Sequence, residues 1–394
     1  MKKSSVLSLF TLFLLLFGCG GGDGGSGSGA LKVSLTDAPA CGFDQVNVTV
    51  SKVRIHQSSN AEENANGWGE IVLSPPGKIN LLTLSNGVLE GLGTTPLAAG
   101  HYTQLRLVLV PNTGAAPLSN SVVPTGGSET ALETPSALQS GIKLIHEFDV
   151  AEGALVELVL DFDACRSVVQ KGNGGYLLRP VISVIPQVVS GAIQGAVGMD
   201  PANGAGEALS NPRVTAQQSG QVIKSTVPNA DGTFTLSPLV QSATAGNYDL
   251  VFTADNAATA VIRSVPATAQ GTTTISTADA PVLLDLSTVR TVSGNVTPAT
   301  AIVRALQTFP TEGPTVEIRS TNTATDTGSY SLSLPILGSK LGQFGTGELP
   351  ILLTLRPDVA GQYTLEASSE GFSAESRPVT LGESNLTEDF TLTP

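Results

Sequence analysis

The sequence has few of the side chains on which enzymes and soft-metal sites depend. Its 394 residues include three histidines, three cysteines and one tryptophan, and neither histidine nor cysteine occurs after residue 165. More than half of the chain therefore lacks a thiol nucleophile, a histidine base and a soft-metal ligand. The motifs G-x-S-x-G and H-E-x-x-H are also absent, which disfavours a hydrolase.

Charged residues are scarce as well, at 13% of the chain, and acidic ones dominate to give a formal net charge of -13. An acidic surface repels nucleic-acid phosphates and anionic lipid headgroups. We therefore expect no nucleic-acid partner, and membrane attachment, if present, should be covalent.

Glycine and proline, by contrast, are abundant, at 43 and 24 residues, and Val, Leu and Thr fill the runs between them. Short apolar runs between frequent turn residues are typical of all-β proteins. The length has room for several domains that each bury a core. We predict an all-β chain of three consecutive β-sandwich domains at residues 30–188, 189–288 and 289–394.

The first 19 residues resemble a bacterial lipoprotein signal peptide. Lys2 and Lys3 precede an apolar run at residues 6–17, which is too short to cross a membrane. The run ends in LFGC, with the cysteine at Cys19. The resemblance implies cleavage after residue 18, acylation of Cys19 by chains such as palmitate, and an outer-membrane location facing either the periplasm or the cell surface. Two or three acyl chains hold a protein durably in a bilayer.

Residues 19–29 are dominated by glycine, and Gly20, Gly22 and Gly25 match a dinucleotide-binding fingerprint. That fingerprint needs a strand before it and a helix after it. Here the preceding run would be cleaved off and GSGSG follows, so we reject a nucleotide site. Residues 19–29 are instead expected to form a flexible tether behind the lipidated cysteine.

Alternating apolar and polar residues predict strands through the first domain. They lie at residues 30–35, 46–55, 71–73, 79–84, 102–110, 142–150, 155–162 and 176–185. In the second of these the apolar positions change parity near Ser51 and Lys52, which predicts a β-bulge. Seven or eight such strands predict a sandwich or barrel.

Six segments of this domain resemble the bacterial family DUF4382, a domain of unknown function. They are LTDAPACGFDQVNVTVSKVRIH, INLLTLSNG, LAAGHYTQLRLVL, SGIKL, LVLDFDAC and GNGGYLLRPVISVI, in that order, within about residues 30–187. The family is common in bacterial surface lipoproteins, and the resemblance implies no catalytic residue.

Two cysteines remain if Cys19 is lipidated. Cys41 and Cys165 would then lie in an exported, oxidising compartment, where a disulfide between them is the default expectation. Such a bond would tie the loop after the first strand to the end of the strand in LVLDFDAC.

Three carboxylates lie close to these cysteines in the sequence. Asp161 and Asp163 share one strand face, and the disulfide would bring Asp37 near them. One interpretation is an oxygen-ligand Ca²⁺ site. In the other, Asp37 belongs to an Asx turn before Ala-Pro and the other two side chains face water.

The histidines and the tryptophan allow few further sites. His146 shares a strand face with apolar residues and is expected to be a hydrogen-bonded core residue, while His56 and His101 lie at a strand end and beside a turn glycine. An active site would need all three to converge. Trp68 has two interpretations, burial beneath the sandwich or exposure as a ligand contact.

The rest of the chain repeats itself. VSG at residues 189–191 recurs at 292–294, and DGTFTL at 231–236 corresponds to DTGSYSL at 326–332. The second copy has an insertion between residues 335 and 357. The order of strands and turns resembles the carboxypeptidase-regulatory-like, transthyretin-like β-sandwich, which implies a stalk or a module that binds carbohydrate or protein.

Together these features predict a non-enzymatic, lipid-anchored envelope protein that serves as a stalk and as a display or binding module. Its partners would be the membrane, through the lipid anchor, and an envelope protein or a glycan. A carbohydrate-binding accessory protein in polysaccharide handling is the alternative, and an envelope hydrolase is disfavoured. No cofactor is expected apart from the Ca²⁺ of the first interpretation above.

Overall fold

The computed structural model describes residues 27–38, 42–114, 116–135, 141–172, 174–203, 206–310, 313–345, 349 and 351–394. The signal peptide, Cys19, Cys41 and the tether up to residue 26 lie outside these residues. Strands dominate the described chain, so the all-β prediction is confirmed. Among the described residues, no helix has the length and apolar character that crossing a membrane requires.

The first sandwich is built from strands β1 to β12. They are β1 (Ser28–Ala38), β2 (Phe43–His56), β3 (Gly69–Asn80), β4 (Glu90–Ala98), β5 (Gly100–Leu109), β6 (Ser121–Pro124), β7 (Thr130–Glu133), β8 (Ile142–Val150), β9 (Leu155–Asp163), β10 (Val168–Gln170), β11 (Tyr176–Leu178) and β12 (Ile182–Pro186). One sheet has the order β12-β9-β1-β4; the other has the order β10-β11-β7-β6-β2-β5-β8, with β3 paired to β2. A short helix, α1 (Ala164–Ser167), follows β9.

The core of this sandwich follows the alternation of its strands. On β1, Leu31, Val33 and Leu35 are fully buried, and on the parallel neighbour β9 Leu160 and Phe162 are buried with them. Alternate side chains share a face, and each large apolar side chain buried this way contributes about 1.5 to 3 kcal/mol. Side chains between them point to the opposite face of the same sheet.

The tether ends earlier than predicted. Ser28 and Gly29 belong to β1, where they pair with Ala98 and Leu97 of β4. A Cβ atom on Gly29 would lie 2.5 Å from the carbonyl oxygen of Ala151. This glycine is therefore explained by close backbone packing rather than by flexibility.

The predicted bulge is confirmed, because the register of β2 shifts between Val50 and Lys52 against both neighbouring strands. The strand predicted at residues 79–84 is wrong in its second half. Leu81–Leu84 form a 3-10 helix, and the Asn80 side chain accepts a backbone N–H bond in its first turn. The cap formed by Asn80 therefore ends the strand, although the apolar pattern continues to residue 84.

The second and third sandwiches follow in chain order. The strands of the second are β13 (Ser190–Met199), β14 (Arg213–Gln218), β15 (Gln221–Thr226), β16 (Thr233–Val240), β17 (Tyr248–Ala254), β18 (Ala257–Val265), β19 (Thr272–Thr274) and β20 (Val282–Leu284), with helix α2 (Ser242–Ala245). Those of the third region are β21 (Val289–Thr297), β22 (Ile302–Thr308), β23 (Thr315–Asn322), β24 (Ser329–Pro335), β25 (Ser339–Gln343), β26 (Thr354–Arg356), β27 (Gln362–Ser368), β28 (Glu375–Thr380), β29 (Leu386–Thr387) and β30 (Phe390–Thr391).

The two copies share their turn chemistry. Gly232 and Gly328 have φ angles of 82° and 70°, and their carbonyls accept bonds from Val197 and Val296. A Cβ atom on either glycine would lie within 2.3 Å of the facing valine carbonyl. Only glycine allows both this positive φ angle and such a close approach of the valine carbonyl.

The insertion in the second copy does not stay in its own domain. Its strands β25 and β26 extend the sheet of the second sandwich to the order β15-β14-β17-β18-β25-β26. β25 runs parallel to β18, from Ala260 opposite Lys340 to Arg263 opposite Gln343. The second and third sandwiches therefore share a continuous hydrogen-bonded sheet.

Their cores are shared as well. Phe344, Ile351 and Leu353 of the inserted segment pack on the core of the second sandwich. In return, Val251 and Val261 of the second sandwich belong to the core cluster of the third. The second and third sandwiches are therefore interlocked and are not separate units joined end to end.

Candidate functional site

A buried ion pair joins the first sandwich to the second. Asp161 of β9 accepts a hydrogen bond from the Nζ of Lys224 on β15 at 2.5 Å, and the two side chains are only 6% and 2% exposed. Burial raises the pKa of the Asp161 carboxyl, and the charge of Lys224 opposes that rise. Because both groups lose water at this interface, their alignment must hold for the pair to be tolerated.

Asp37 lies on the other side of the same sheet. It pairs with Phe162 in the register of β1 and β9, so its side chain points to the core face and is fully buried. Its Oδ1 accepts from the backbone N–H of Ala164 at 3.0 Å, and its Oδ2 has no hydrogen-bond partner among the described residues. Burial raises the pKa of this carboxyl well above its ordinary value.

Asp163 has a third role. Its Oδ1 accepts from the backbone N–H of Arg166 at 3.0 Å and so caps helix α1. The cap satisfies a helix N–H that would otherwise lack an intrahelical partner. It also fixes the backbone of Arg166, whose side chain reaches the junction of the sandwiches.

The structure contradicts the Ca²⁺ interpretation and, for Asp161, the interpretation that the side chain faces water; the predicted Asx turn of Asp37 extends beyond the described residues. Asp161 does not face water, because Lys224 of the second sandwich covers it. Asp37 bonds to α1, and it lies on the opposite sheet face from Asp161. Across the described part of the chain, no group of three or more His, Cys, Asp or Glu side chains could hold a metal ion, so the Ca²⁺ site is rejected.

The other predicted modifications involve cysteines outside the described residues. Cys165 lies in α1, but Cys41 falls outside the described residues, so their disulfide stays a prediction. The same holds for lipidation of Cys19.

All three sandwiches meet at Glu317 of β23, whose side chain is 2% exposed. Its carboxylate accepts from the Nε of Arg304 at 2.6 Å, and its backbone exchanges two hydrogen bonds with the Gln217 side chain of the second sandwich. The Nη2 of Arg166, from the first sandwich, lies 3.7 Å from the same carboxylate. This acid is therefore the common contact of the junction.

Polar side chains pin the first sandwich at two further points. The Nδ2 of Asn322 in the third sandwich donates to the Arg166 carbonyl at 2.9 Å. Asn86, in a turn of the first sandwich, donates to the Val227 carbonyl at 2.8 Å and accepts from the Thr235 N–H at 3.1 Å. The Asn-Gly sequence at this position indicates a turn, but it does not disclose that the turn docks on another domain.

A cleft of about 630 Å³ opens where the three sandwiches meet. The first sandwich contributes Phe43, Arg166 and Tyr176 to its walls, the second contributes Arg213, and the third contributes Asn322 and Ser331, among others. The rings of Phe43 and Tyr176 pack edge to face, with centroids 5.5 Å apart. The volume lies in the range of about 300 to 1,000 Å³ that is usual for small-molecule sites.

Arg213 brings a second guanidinium to this cleft. Its Nη2 donates to the Oγ of Ser225 at 3.2 Å. Burial lowers the pKa of the guanidinium, while the charges of Asp163 and Glu317 act in the opposite direction. An arginine remains charged under such a shift, so the cleft is lined by two cations.

Trp68 lies between its two predicted environments, neither fully buried nor fully exposed. Its ring is half-buried, with the Arg54 guanidinium 4.4 Å and that of Arg106 5.0 Å from the ring centroid, and His56 packs on it at 4.9 Å. The indole N–H donates to the Glu62 carbonyl at 3.0 Å. The chain's own side chains therefore occupy the aromatic surface that a ligand would use.

The histidines have separate neighbourhoods. His56 contacts the Asn66 carbonyl at 3.0 Å, and His101 contacts Asp149 at 2.8 Å. His146 is half-buried where the register of β8 slips, and its Nε2 has no hydrogen-bond partner among the described residues. The predicted hydrogen-bonded core histidine is therefore wrong, and burial lowers the pKa of its imidazole.

Comparison with known proteins supports the resemblance of the first sandwich. Residues 28–180 match a family model described as "Domain of unknown function (DUF4382)". No curated protein matches the chain. The resemblance of residues 189–394 to carboxypeptidase-regulatory-like domains stays a prediction.

Similar solved structures come from bacterial β-sandwich proteins. A cohesin–dockerin complex from Acetivibrio cellulolyticus is 20% identical over 25% of this chain and 58% of that one, with a TM-score of 0.19. The Bacillus anthracis TIE protein is 13% identical over 93% of this chain and 50% of that one, at 0.18. Two B repeats of the collagen binding protein of Staphylococcus aureus are 11% identical over 93% and 99%, at 0.19. The chain spans only half to three-fifths of the first two, and we draw nothing about function from TM-scores this low.

Proposed function

We propose that this chain is a non-enzymatic binding and display module of the bacterial cell envelope, anchored to the outer membrane through acyl chains on Cys19. The observation that supports it best is the meeting of three sandwiches at one polar cleft. The second and third exchange strands and core residues, and polar contacts hold the first sandwich against them. A pre-formed cleft suits binding because little order is lost when a ligand enters.

The proposed anchor would hold this body close to the lipid surface. β1 begins at Ser28, nine positions after Cys19. The first sandwich would therefore lie close to the membrane.

Membrane fractionation tests the anchor. Cys19→Ser should release the protein from the membrane fraction, whereas Gly21→Ala, two positions away, should leave it there. Retention of the Cys19→Ser protein in membranes would contradict the anchor.

A substrate panel tests the non-enzymatic assignment. The chain carrying Cys19→Ser should not turn over esters, peptides or glycosides. Turnover that is lost in His56→Ala, His101→Ala or His146→Ala would overturn the proposal, because it would place a histidine in a catalytic role.

The cleft also favours the second candidate function, a carbohydrate-binding accessory protein. Hydroxyl, amide and guanidinium groups line it beside aromatic rings. Such groups can hydrogen-bond to sugar hydroxyls and pack against sugar rings. Trp68, whose ring is covered, no longer supports this candidate.

A further inference from the structure

We propose that the junction cleft binds an acidic saccharide, meaning a sugar unit that carries a carboxylate or a sulfate group. This inference rests on the binding part of the proposed function and adds the class of ligand. It is carried by the charge, the lining and the volume of the cleft.

The charge of the cleft is opposite to that of the protein. Arg166 and Arg213 both line it, in a chain whose net charge is -13. The nearest carboxylate to Arg166, that of Glu317, lies 3.7 Å away and is already bonded to Arg304 at 2.6 Å. The Nε of Arg166 is buried and has no hydrogen-bond partner within the described part of the chain. An oxyanion entering the cleft would supply this guanidinium with a closer acceptor.

The rest of the lining suits a polyhydroxylated ligand. Ser331 projects from the exposed face of β24, and Thr321 and Gln170 line the same space. Hydroxyl and amide groups can donate and accept, as sugar hydroxyls do. The edge-to-face pair of Phe43 and Tyr176 adds an apolar wall, against which the C–H face of a sugar ring packs.

The volume and the three-part wall narrow the class further. About 630 Å³ holds a short saccharide, but not a folded partner domain. Because residues of the first and third sandwiches form the walls, with Arg213 from the second, a bound ligand bridges separate sandwiches and stabilises their junction by mass action. Binding should therefore raise the unfolding temperature as well as produce heat.

Isothermal titration calorimetry with the full chain carrying Cys19→Ser tests the ligand class. The probes are trigalacturonate, its neutral counterpart maltotriose, and inorganic sulfate. We expect trigalacturonate to bind about tenfold or more tightly than maltotriose, with an affinity that falls as salt increases. Sulfate alone should bind more weakly than trigalacturonate, because it lacks the sugar contacts.

Three variants test the location. Arg166→Gln should weaken trigalacturonate binding about tenfold or more. Ser331→Trp should fill the cleft and abolish binding. Ser333→Trp is the matched control, since Ser333 lies on the same exposed face of β24 but does not line the cleft, and it should bind like the parent. Thermal unfolding of each variant verifies that it is folded.

Each contrary result has a distinct meaning. No binding of trigalacturonate, equal binding of maltotriose, or equal binding of sulfate would overturn the acidic saccharide. Unchanged binding in folded Ser331→Trp would overturn the location. If maltotriose binds and Ser331→Trp abolishes it, the ligand class fails while the binding module stands. Hydrolysis of a bound saccharide would overturn the non-enzymatic function instead.

Discussion

The first and second sandwiches meet through polar side chains, whereas the third region adds two strands to a sheet of the second. At the first interface the contacts include a buried ion pair, Asp161 with Lys224, and the exposed or partly buried hydrogen bonds of Asn86. At the second, β25 pairs with β18 along the backbone and apolar residues cross in both directions. The cleft is lined mainly by the first and third sandwiches, with Arg213 from the second.

This difference indicates which interface depends on protonation and charge. Backbone pairing satisfies the open edge of β18 and buries apolar surface, neither of which depends on protonation. The ion pair depends on charge, and it is costly when only one partner remains. We therefore expect the first interface to be sensitive to substitution of a single charged residue. The second should be sensitive to deletion of the inserted strands.

The largest effect should follow removal of the inserted strands. Deleting residues 339–355 and joining Gly338 to Arg356 through a short Gly-Ser linker exposes the edge of β18 and removes Phe344, Ile351 and Leu353 from the second core. We expect a loss of roughly 5 kcal/mol or more in the free energy of unfolding, measured by urea denaturation.

The same segment provides the control. Leu352 is 84% exposed, so Leu352→Ser should change the unfolding free energy by less than about 0.5 kcal/mol. A deletion variant as stable as the parent would show that the second sandwich does not depend on its neighbour.

The ion pair should give the next effect. Lys224→Met leaves Asp161 buried without its partner, and we expect a loss of about 3 kcal/mol. The double variant with Asp161→Leu should recover most of it, because apolar pairs replace buried ion pairs well. A double-mutant cycle from chemical denaturation measures the coupling.

An exposed pair on the same sheet is the comparison. Lys32 and Glu157 lie 2.7 Å apart with side chains 46% and 35% exposed, and Lys32→Met should cost less than about 1 kcal/mol. Equal losses at the two sites would refute the special role of the interface.

A third prediction concerns pH and Asp37. Its pKa is raised by burial, so the native state binds the proton more tightly than the unfolded state does. This contribution to stability is complete below the unfolded pKa and is lost as pH rises toward the folded pKa, by roughly 1.4 kcal/mol per pH unit within that window.

Asp37→Asn removes this titration and keeps an acceptor for Ala164. The variant should therefore gain stability relative to the parent as pH rises from 4 to 8, as measured by thermal unfolding across pH. Asp279→Asn, at an exposed turn, should track the parent throughout. A parallel pH profile for Asp37→Asn would contradict the assignment.

The sequence was sufficient for the faces of the long strands but not for what covers those faces. The alternation in β9 correctly separates Phe162 from Asp161, because period two decides which face a side chain takes. The alternation does not show that β15 of the next sandwich packs on the polar face. One of the two interpretations therefore had the Asp161 side chain facing water. The covering group, Lys224, is nearby only in space.

The inserted strands are a second feature whose surroundings the sequence did not predict. The repeat comparison finds the extra residues between 335 and 357, but a strand's partner is a tertiary property. The cleft was missed for this reason too, since its two arginines, Arg166 and Arg213, come from separate sandwiches. No local motif links them.

The smallest effect should come from Trp68, where two arginines pack on one aromatic ring. The Arg54 guanidinium lies 4.4 Å from the centroid of this ring, and Trp68 does not line the cleft. Trp68→Leu should cost about 1 kcal/mol, because it removes a cation–π contact and the indole N–H bond. Trp68→Phe should cost less, since it keeps a ring face. Trigalacturonate affinity should not change in either variant, and a loss of binding would move the saccharide site from the cleft to Trp68.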